Sequence, residues 1–391
     1  MKKVTVKWNK RLEAGHLWIF SNEVISGFSN YEKGELVRIF DHKGKFRAVG
    51  YINPNSLIAI RILSKEDENI DKTFFERRIA AALNYRKSVG YERYNSFRLV
   101  YGESDGLSGI IVDKYCNYLS VQVLTAGMER LFPLVKDVLI QQLSPKGIVL
   151  RNDTTIRELE GLSQNKEIVY GNIDESPVIE EEGVFYRVNL LEGQKTGFFL
   201  DQRENRLFLR SLIDSAKKIK ALDCFSYSGG WALSAKATKK YLDITAVDIS
   251  EKALSLIKEN ALLNNMEVSA VKADVFDFLR ERRDKRERFD LIILDPPAFI
   301  KSKAKTKEGL KGYKEINLSA MKILNEGGFL VTSSCSHHLS RELFLEVLRD
   351  AAADSNKQFQ IIKMSGQSKD HPPLLSMPET DYLKTFFLKL F

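Results

Sequence analysis

Phe289-Asp290-Leu291-Ile292-Ile293-Leu294-Asp295-Pro296-Pro297-Ala298 is a short apolar, β-branched run that stops at a carboxylate and two prolines. A run of this length and texture reads as a strand buried on both faces of a parallel sheet. Proline cannot donate to a ladder, so the strand ends at Asp295. In an open α/β sheet, ligands bind beyond the carboxyl ends of the strands. Asp295 is therefore either a functional carboxylate on a stiffened turn or simply the opening residue of an Asp-Pro turn.

The same texture extends on both sides. From about residue 189, strand-length apolar runs at 221–225, 243–247, 268–273, 291–294 and 329–333 alternate with helical segments. Those segments lie at 231–239, 251–264, 275–283, 313–324 and 340–352. Alternation on this scale implies βαβ units around a parallel sheet. Runs at 358–364 and 382–390 read as a closing antiparallel pair, with His371-Pro372-Pro373 in the loop between them. Upstream, residues 1–72 read as a small, mostly β unit with strands at 3–8, 35–40, 46–51 and 57–63, punctuated by Asp41-His42-Lys43-Gly44 and Asn53-Pro54-Asn55. Residues 73–188 read as an α+β unit: helices at 73–88 and 128–143, strands at 97–101, 109–114, 118–124, 147–151 and 184–188. The fold class is thus multidomain α/β. A small N-terminal β-barrel (1–72) and an α+β middle domain (73–188) precede a Rossmann-like domain (189–391).

Composition narrows the function. The chain has 391 residues, 43% of them hydrophobic, enough for two or three packed cores. No apolar run is long enough to span a bilayer, and Met1-Lys2-Lys3-Val4-Thr5-Val6-Lys7-Trp8 has no signal-peptide core, so a cytoplasmic protein without a membrane partner is expected. Cys116, Cys224 and Cys335 are too scattered for a disulfide frame or a zinc knuckle, and no resident metal is expected. A net charge of +8 favours a polyanion such as nucleic acid. Arg11, His16, Trp18 and Phe20 interleave cations with aromatics, a pattern that either stacks bases against phosphates or fills a small barrel.

Three strands upstream of Asp295 also end in acids. Leu222-Asp223-Cys224-Phe225-Ser226-Tyr227-Ser228-Gly229-Gly230 breaks from strand into a small-residue turn that lets backbone approach a ligand, and it is not the dinucleotide fingerprint. Val247-Asp248-Ile249-Ser250 places a carboxylate where ribose hydroxyls are held in Rossmann-like folds. Ala273-Asp274-Val275-Phe276 offers an acid and a neighbouring N–H to an adenine edge. Each acid could instead cap a helix.

Together these segments resemble, in order and spacing, the successive motifs of class I S-adenosylmethionine-dependent methyltransferases. Glu192-Gly193-Gln194-Lys195-Thr196-Gly197-Phe198-Phe199-Leu200-Asp201-Gln202-Arg203-Glu204-Asn205-Arg206 sharpens the resemblance. It is similar to the signature of bacterial and archaeal ribosomal RNA cytosine-5 methyltransferases that act on large-subunit RNA. That family carries a PUA domain, an α+β domain and a Rossmann-like catalytic domain. The resemblance implies S-adenosylmethionine as cofactor, with Thr196, Gly197, Phe198 and Asp201 near its amino-acid part. Asp223, Phe225, Tyr227, Gly229, Asp248, Ile249, Asp274, Val275 and Asp295 complete the implied cofactor set. The 192–206 stretch itself reads as a β-hairpin tip running into an amphipathic helix.

Carbon 5 of cytosine is a poor nucleophile until a thiolate adds at carbon 6; a base then removes the carbon-5 proton, and an acid near nitrogen 3 stabilises the adduct. Such a reaction needs a cysteine and a carboxyl group facing one flipped base. Cys335 lies in Val331-Thr332-Ser333-Ser334-Cys335-Ser336-His337-His338, past the strand after Asp295, and resembles the family's nucleophile motif. Cys335 and Asp295 are the expected catalytic pair; a buried packing cysteine is the plainer alternative. Cys224, inside its strand, is expected to pack. Phe299 could stack the base or fill the core, and Lys301, Lys303 and Lys305 form a run that is either solvated or a phosphate clamp. With Arg11 they are the RNA-binding candidates. The expected partner is ribosomal RNA, with a homodimer left open. The competing functions are methylation of a guanine or adenine nitrogen, which needs no cysteine, and a non-catalytic RNA-binding factor.

Overall fold

The computed structural model describes residues 1–173, 176–194, 196–213, 218–237 and 241–391. They form two units. The first comprises Met1–Ile179, Val188–Leu200 and Lys369–Thr380; the second comprises Glu180–Arg187, Asp201–Ser368 and Asp381–Phe391.

The first unit holds two five-stranded sheets. In the N-terminal one the strands run in the order Lys2–Val6, Glu35–Asp41, Phe46–Ile52, Ile60–Ser64, Trp18–Ile19. Its edges are drawn together by Lys7 N–H to the Glu23 carbonyl (2.7 Å) and Ile25 N–H to the Thr5 carbonyl (2.8 Å), which curl it around a core of Val4, Val6, Val37, Ile39 and Ile60. The other sheet runs Lys166–Gly171, Gly147–Arg151, Tyr118–Val123, Ile110–Tyr115, Ser96–Tyr101. Its one parallel pair, Tyr118–Val123 with Gly147–Arg151, is bridged by the helix Ala126–Leu143, as a crossover requires. The helix Lys72–Ser88 opens on Asp71, whose carboxylate accepts from Phe74 N–H at 3.1 Å.

The second unit is a seven-stranded sheet. Its order is Ser269–Lys272, Leu242–Asp248, Ile219–Cys224, Phe289–Leu294, Leu324–Ser334, Lys384–Leu390, Phe359–Ser365. The first five are parallel and the last two antiparallel. Apolar side chains cover both faces, which is why the strand sequences read as continuous apolar runs. Ile219–Cys224 is the switch strand: the chain leaves it to one side through Leu242–Asp248 and returns on the other through Phe289–Leu294, opening a crevice at the carboxyl rim.

Several boundaries move. The helix expected at 313–324 is Thr306–Lys322, so it takes in Lys307 at the end of the lysine run. The helix expected at 231–239 is Gly230–Lys236; Lys239 lies outside the described residues. The expected β-hairpin tip at 192–206 is corrected: its described residues carry turns, a 3-10 turn at Leu200–Gln202 and the start of the helix Arg203–Leu212, with no strand. The amphipathic helix is there, but the Gly-rich turns before it make no ladder. Lys195 of that stretch lies outside the described residues.

Candidate functional site

At the carboxyl rim of the second unit, five parallel strands deliver four acids and a thiol. Asp223 stands one residue before the end of the switch strand and is fully buried. Its Oδ2 accepts from Ser226 Oγ (2.6 Å) and Ala232 N–H (3.0 Å), while Oδ1 is buried without a hydrogen-bond partner. Burial pushes this carboxyl up to about 7; the Ser226 and Ala232 donors oppose the rise, and the nearby Asp295 and Asp248 charges add to it. An unfolded aspartate titrates near ~3.9. The folded chain therefore binds the extra proton between those values, and the stability that proton brings is lost as pH rises through about 7. The melting temperature of Asp223→Asn, measured by calorimetry from pH 5 to 8, should gain on the wild type by several degrees as pH rises; a constant difference would refute this.

The turn after Cys224 is held in an unusual conformation. Phe225 (φ 62°), Tyr227 (φ 50°) and Gly229 (φ 76°) alternate through the left-handed region. Two of these are not glycine, and such strain concentrates at functional sites. The turn is fixed by Tyr227 N–H to Asp248 Oδ2 (3.0 Å), Asn260 Nδ2 to the Ser228 carbonyl (3.0 Å) and Tyr186 OH to the Gly230 carbonyl (3.1 Å). Asp248 also accepts from Ser250 N–H (2.9 Å), and Ile249 beside it is 65% exposed, an apolar side chain held out at the rim. Asp274 is the N-cap of the helix Val275–Asp284, accepting from Phe276 N–H at 2.9 Å and Asp277 N–H at 3.3 Å, and Val275 is buried.

Asp295 is the first residue beyond its strand. Its Oδ1 accepts from Gln202 Nε2 (3.1 Å), its Oδ2 from the indole Nε1 of Trp231 (2.9 Å). Gln202 also donates to Ser333 Oγ (3.2 Å), tying Asp295 to the neighbouring strand. Leu294 pairs with Thr332, so Asp295 and the half-buried Cys335, the first residue past Leu324–Ser334, emerge at one rim from adjacent strands, which lie ~5 Å apart. Around Cys335 the loop is polar and buried: Ser334 Oγ donates to Tyr313 OH (2.8 Å), and Tyr313 OH and Ser336 Oγ are 2.9 Å apart. Cys224 is fully buried, and burial pushes its thiol well up.

Asp201 accepts from Tyr382 OH at 2.5 Å. Phe299 sits in an aromatic cluster, 4.7 Å from Tyr313, 5.9 Å from Phe276 and 6.3 Å from Phe225 between ring centroids. Lys301, Lys303 and Lys305 are exposed, and Lys305 pairs with Glu308 at 2.9 Å. The first unit holds the remaining candidates. Arg11 makes a fork to both carboxylate oxygens of Glu23 (2.7 and 3.0 Å) and donates to the Trp18 carbonyl (2.9 Å). Thr196 Oγ1 donates to Asp113 (2.5 Å), Phe198 N–H donates to Tyr115 OH (3.1 Å), and Gly197 takes φ 135° against Val188. Among the described residues, no cluster of His, Cys, Asp and Glu could hold a metal ion, and no helix is long and apolar enough to cross a membrane.

Gln202, Trp231 and Lys384 escaped the sequence reading. Trp231 had a signal, since it opens the helix after the Gly229-Gly230 turn. Lys384 had a fainter one, a single charge inside the apolar run Tyr382-Leu383-Lys384-Thr385-Phe386-Phe387.

The rim suits an adenosyl sulfonium ligand. The left-handed turn brings backbone close, Asp248 sits on the neighbouring strand, and the buried Asp223 carboxyl leaves one oxygen without a partner. Comparison with known proteins agrees. Residues 162–363 match the model of the S-adenosylmethionine-dependent methyltransferases, and residues 3–65 that of the PUA-like domain. The chain is 38% identical over 384 residues to the ribosomal RNA large subunit methyltransferase I of Escherichia coli O139:H28, covering 96% of both chains. It is 38% identical over 383 residues to the protein of that name in Citrobacter koseri, again covering 96% of both. Among solved structures, SMU.776, crystallised with S-adenosylhomocysteine, superposes over all of both chains with a TM-score of 0.84 at 21% identity, and so shares the fold. A methyltransferase from Streptococcus mutans does likewise at 0.84 and 20%. The expected PUA-like and Rossmann-like fold is therefore present, S-adenosylmethionine is the cofactor, and the chain belongs to the S-adenosylmethionine-dependent methyltransferases, in the family of ribosomal RNA large subunit methyltransferase I.

Proposed function

We propose that the chain forms 5-methylcytosine in large-subunit ribosomal RNA through a covalent adduct at Cys335. The observation that carries this reading is the placing of Asp295 and Cys335 on adjacent strand ends of one rim. A methyltransferase acting on a ring nitrogen needs the acid but has no use for the thiol. In the proposed reaction the Cys335 thiolate adds to carbon 6 of a flipped cytosine, and the displaced electron pair makes carbon 5 nucleophilic. Asp295, steadied by Gln202 and Trp231, hydrogen-bonds the ring at nitrogen 3 and the exocyclic amine. Bound S-adenosylmethionine supplies the electrophilic methyl. A general base then takes the carbon-5 proton, the C–H electron pair re-forms the 5,6 double bond, and the sulfur–carbon 6 bond breaks with its pair on sulfur, which frees the thiolate.

The relatives' names point to the same RNA. The exposed Lys301, Lys303 and Lys305 follow Asp295 closely in the chain and are assigned to phosphates, with Phe299 at the base and Arg11 on the N-terminal β unit. Residues 1–72, 73–188 and 189–391 are assigned as RNA-binding, middle and catalytic domains, and the cytoplasm, where ribosomal RNA is packaged, as the location. Nucleoside mass spectrometry of ribosomal RNA from a deletion strain, with and without the gene restored, tests the reading. One 5-methylcytosine should vanish and return; an unchanged map would refute it.

A further inference from the structure

The mechanism above gives Lys384 no task, yet its position is costly. It lies on Lys384–Leu390, paired with Ser334, the residue before Cys335. It is 4% exposed. Its Nζ donates to the carbonyl of Ser336, just after Cys335, at 2.7 Å and to that of Tyr382 at 2.8 Å. The ammonium is thus held at the residue that follows the thiol, on a strand paired with the residue that precedes it. Among the described residues, no carboxylate lies within ion-pair reach of it. A buried ammonium satisfied only by neutral carbonyls is expensive unless an anion forms beside it.

We propose that Lys384 is the positioning residue that shares one proton with Cys335 and holds the thiolate in its nucleophilic state; this rests on Cys335 being the nucleophile. In the step, the thiol proton passes from Sγ to neutral Nζ, the S–H electron pair stays on sulfur, and the Nζ lone pair forms the new N–H bond. When the sulfur–carbon 6 bond later breaks, the thiolate returns beside the same ammonium, so the pair resets with no net proton.

The electrostatics agree. Burial lowers Lys384 to about 8, with the Cys335 and Asp381 charges opposing the fall and Arg341 adding to it. A free thiol titrates near ~8.5, so the two groups compete for one proton. Of the other groups facing the pair, Tyr313 is pushed up by burial and stays neutral, and Asp381 is half exposed with Arg341 3.9 Å away.

The test is the pH dependence of Cys335 alkylation by iodoacetamide, read by mass spectrometry of its peptide in the full-length protein without RNA. Wild-type protein should reach half-maximal rate at least about one pH unit below a free thiol. Lys384→Met should raise that midpoint by about a unit and slow alkylation roughly tenfold at pH 7. Lys384→Arg, which keeps a cation, should hold the midpoint near wild type. S-adenosylmethionine titration and melting temperature report whether each variant folds. A purely structural lysine would lower the melting temperature and leave the midpoint in place, which overturns the proposal. If Lys384→Met does not fold, the wild-type profile decides: a midpoint at or above ~8.5 overturns it as well. Because alkylation needs neither RNA nor methyl transfer, its result stands apart from the nucleophile reading, which falls if Cys335→Ala still methylates or if the RNA adduct maps to another residue.

Discussion

Cys335→Ala should cut methyl transfer to ribosomal RNA by at least about a thousandfold while leaving S-adenosylmethionine affinity within about twofold, because removing a covalent nucleophile deletes the reaction path and not a binding contact. Neither other thiol can stand in. Cys224 is fully buried in the switch strand with its thiol pushed well up, and Cys116 belongs to the first unit, where its S–H donates to the Val178 carbonyl at 3.2 Å. RNA containing 5-fluorocytidine separates the chemistry from a binding defect. Fluorine at carbon 5 cannot leave as a proton does, so wild-type protein should stay attached through denaturing electrophoresis, and Cys335→Ala should not. Full activity in the alanine variant, or an adduct mapped to another residue, would sink the mechanism.

The centre of the catalytic sheet was legible because strands such as Ile219–Cys224 and Phe289–Leu294 are buried on both faces. Leu291-Ile292-Ile293-Leu294 has no polar alternation to confuse it, and the two prolines after Asp295 cannot extend its ladder. The strand Lys166–Gly171 went unread for the opposite reason. It is an edge strand, largely exposed, and its Lys-Glu-Ile-Val-Tyr-Gly carries neither an apolar run nor strict alternation. Lys369–Thr380 belongs to the first unit although most of its sequence neighbours build the second, a return no local pattern announces. At the rim, the ambiguity noted for the acids resolves residue by residue: Asp274 is the N-cap of its helix, while Asp223 is buried beside the turn and accepts from Ala232 N–H in the first turn of Gly230–Lys236, whose N-cap is Gly229. What the sequence could not disclose is the support beneath Asp295. Gln202 and Trp231 lie 93 and 64 positions away, and only tertiary packing brings them to its two oxygens.

That support makes Asp295→Asn the second large expected effect. The substitution preserves shape, and the remaining oxygen can still accept from Trp231 Nε1. The new amide then faces Gln202 Nε2, donor against donor. Gln202 cannot simply flip, because its Oε1 already accepts from Asn205 Nδ2 at 2.7 Å. The variant therefore loses the carboxylate and also disturbs the hydrogen bonds that aim it. Methyl transfer should fall by roughly 10²–10⁴, the range a positioned acid contributes, and adduct formation with 5-fluorocytidine RNA should slow in parallel, since Asp295 serves the addition step. Gln202→Leu should cost less, on the order of tenfold, because it removes the aim and keeps the carboxyl group. If Gln202 acts only through Asp295, adding Gln202→Leu to Asp295→Asn should cost almost nothing more, and the double variant should match the single one. Independent, multiplying losses would instead give Gln202 its own contact with the base. An Asp295→Asn enzyme within about threefold of wild type would return Asp295 to the plain role of a turn-opening residue.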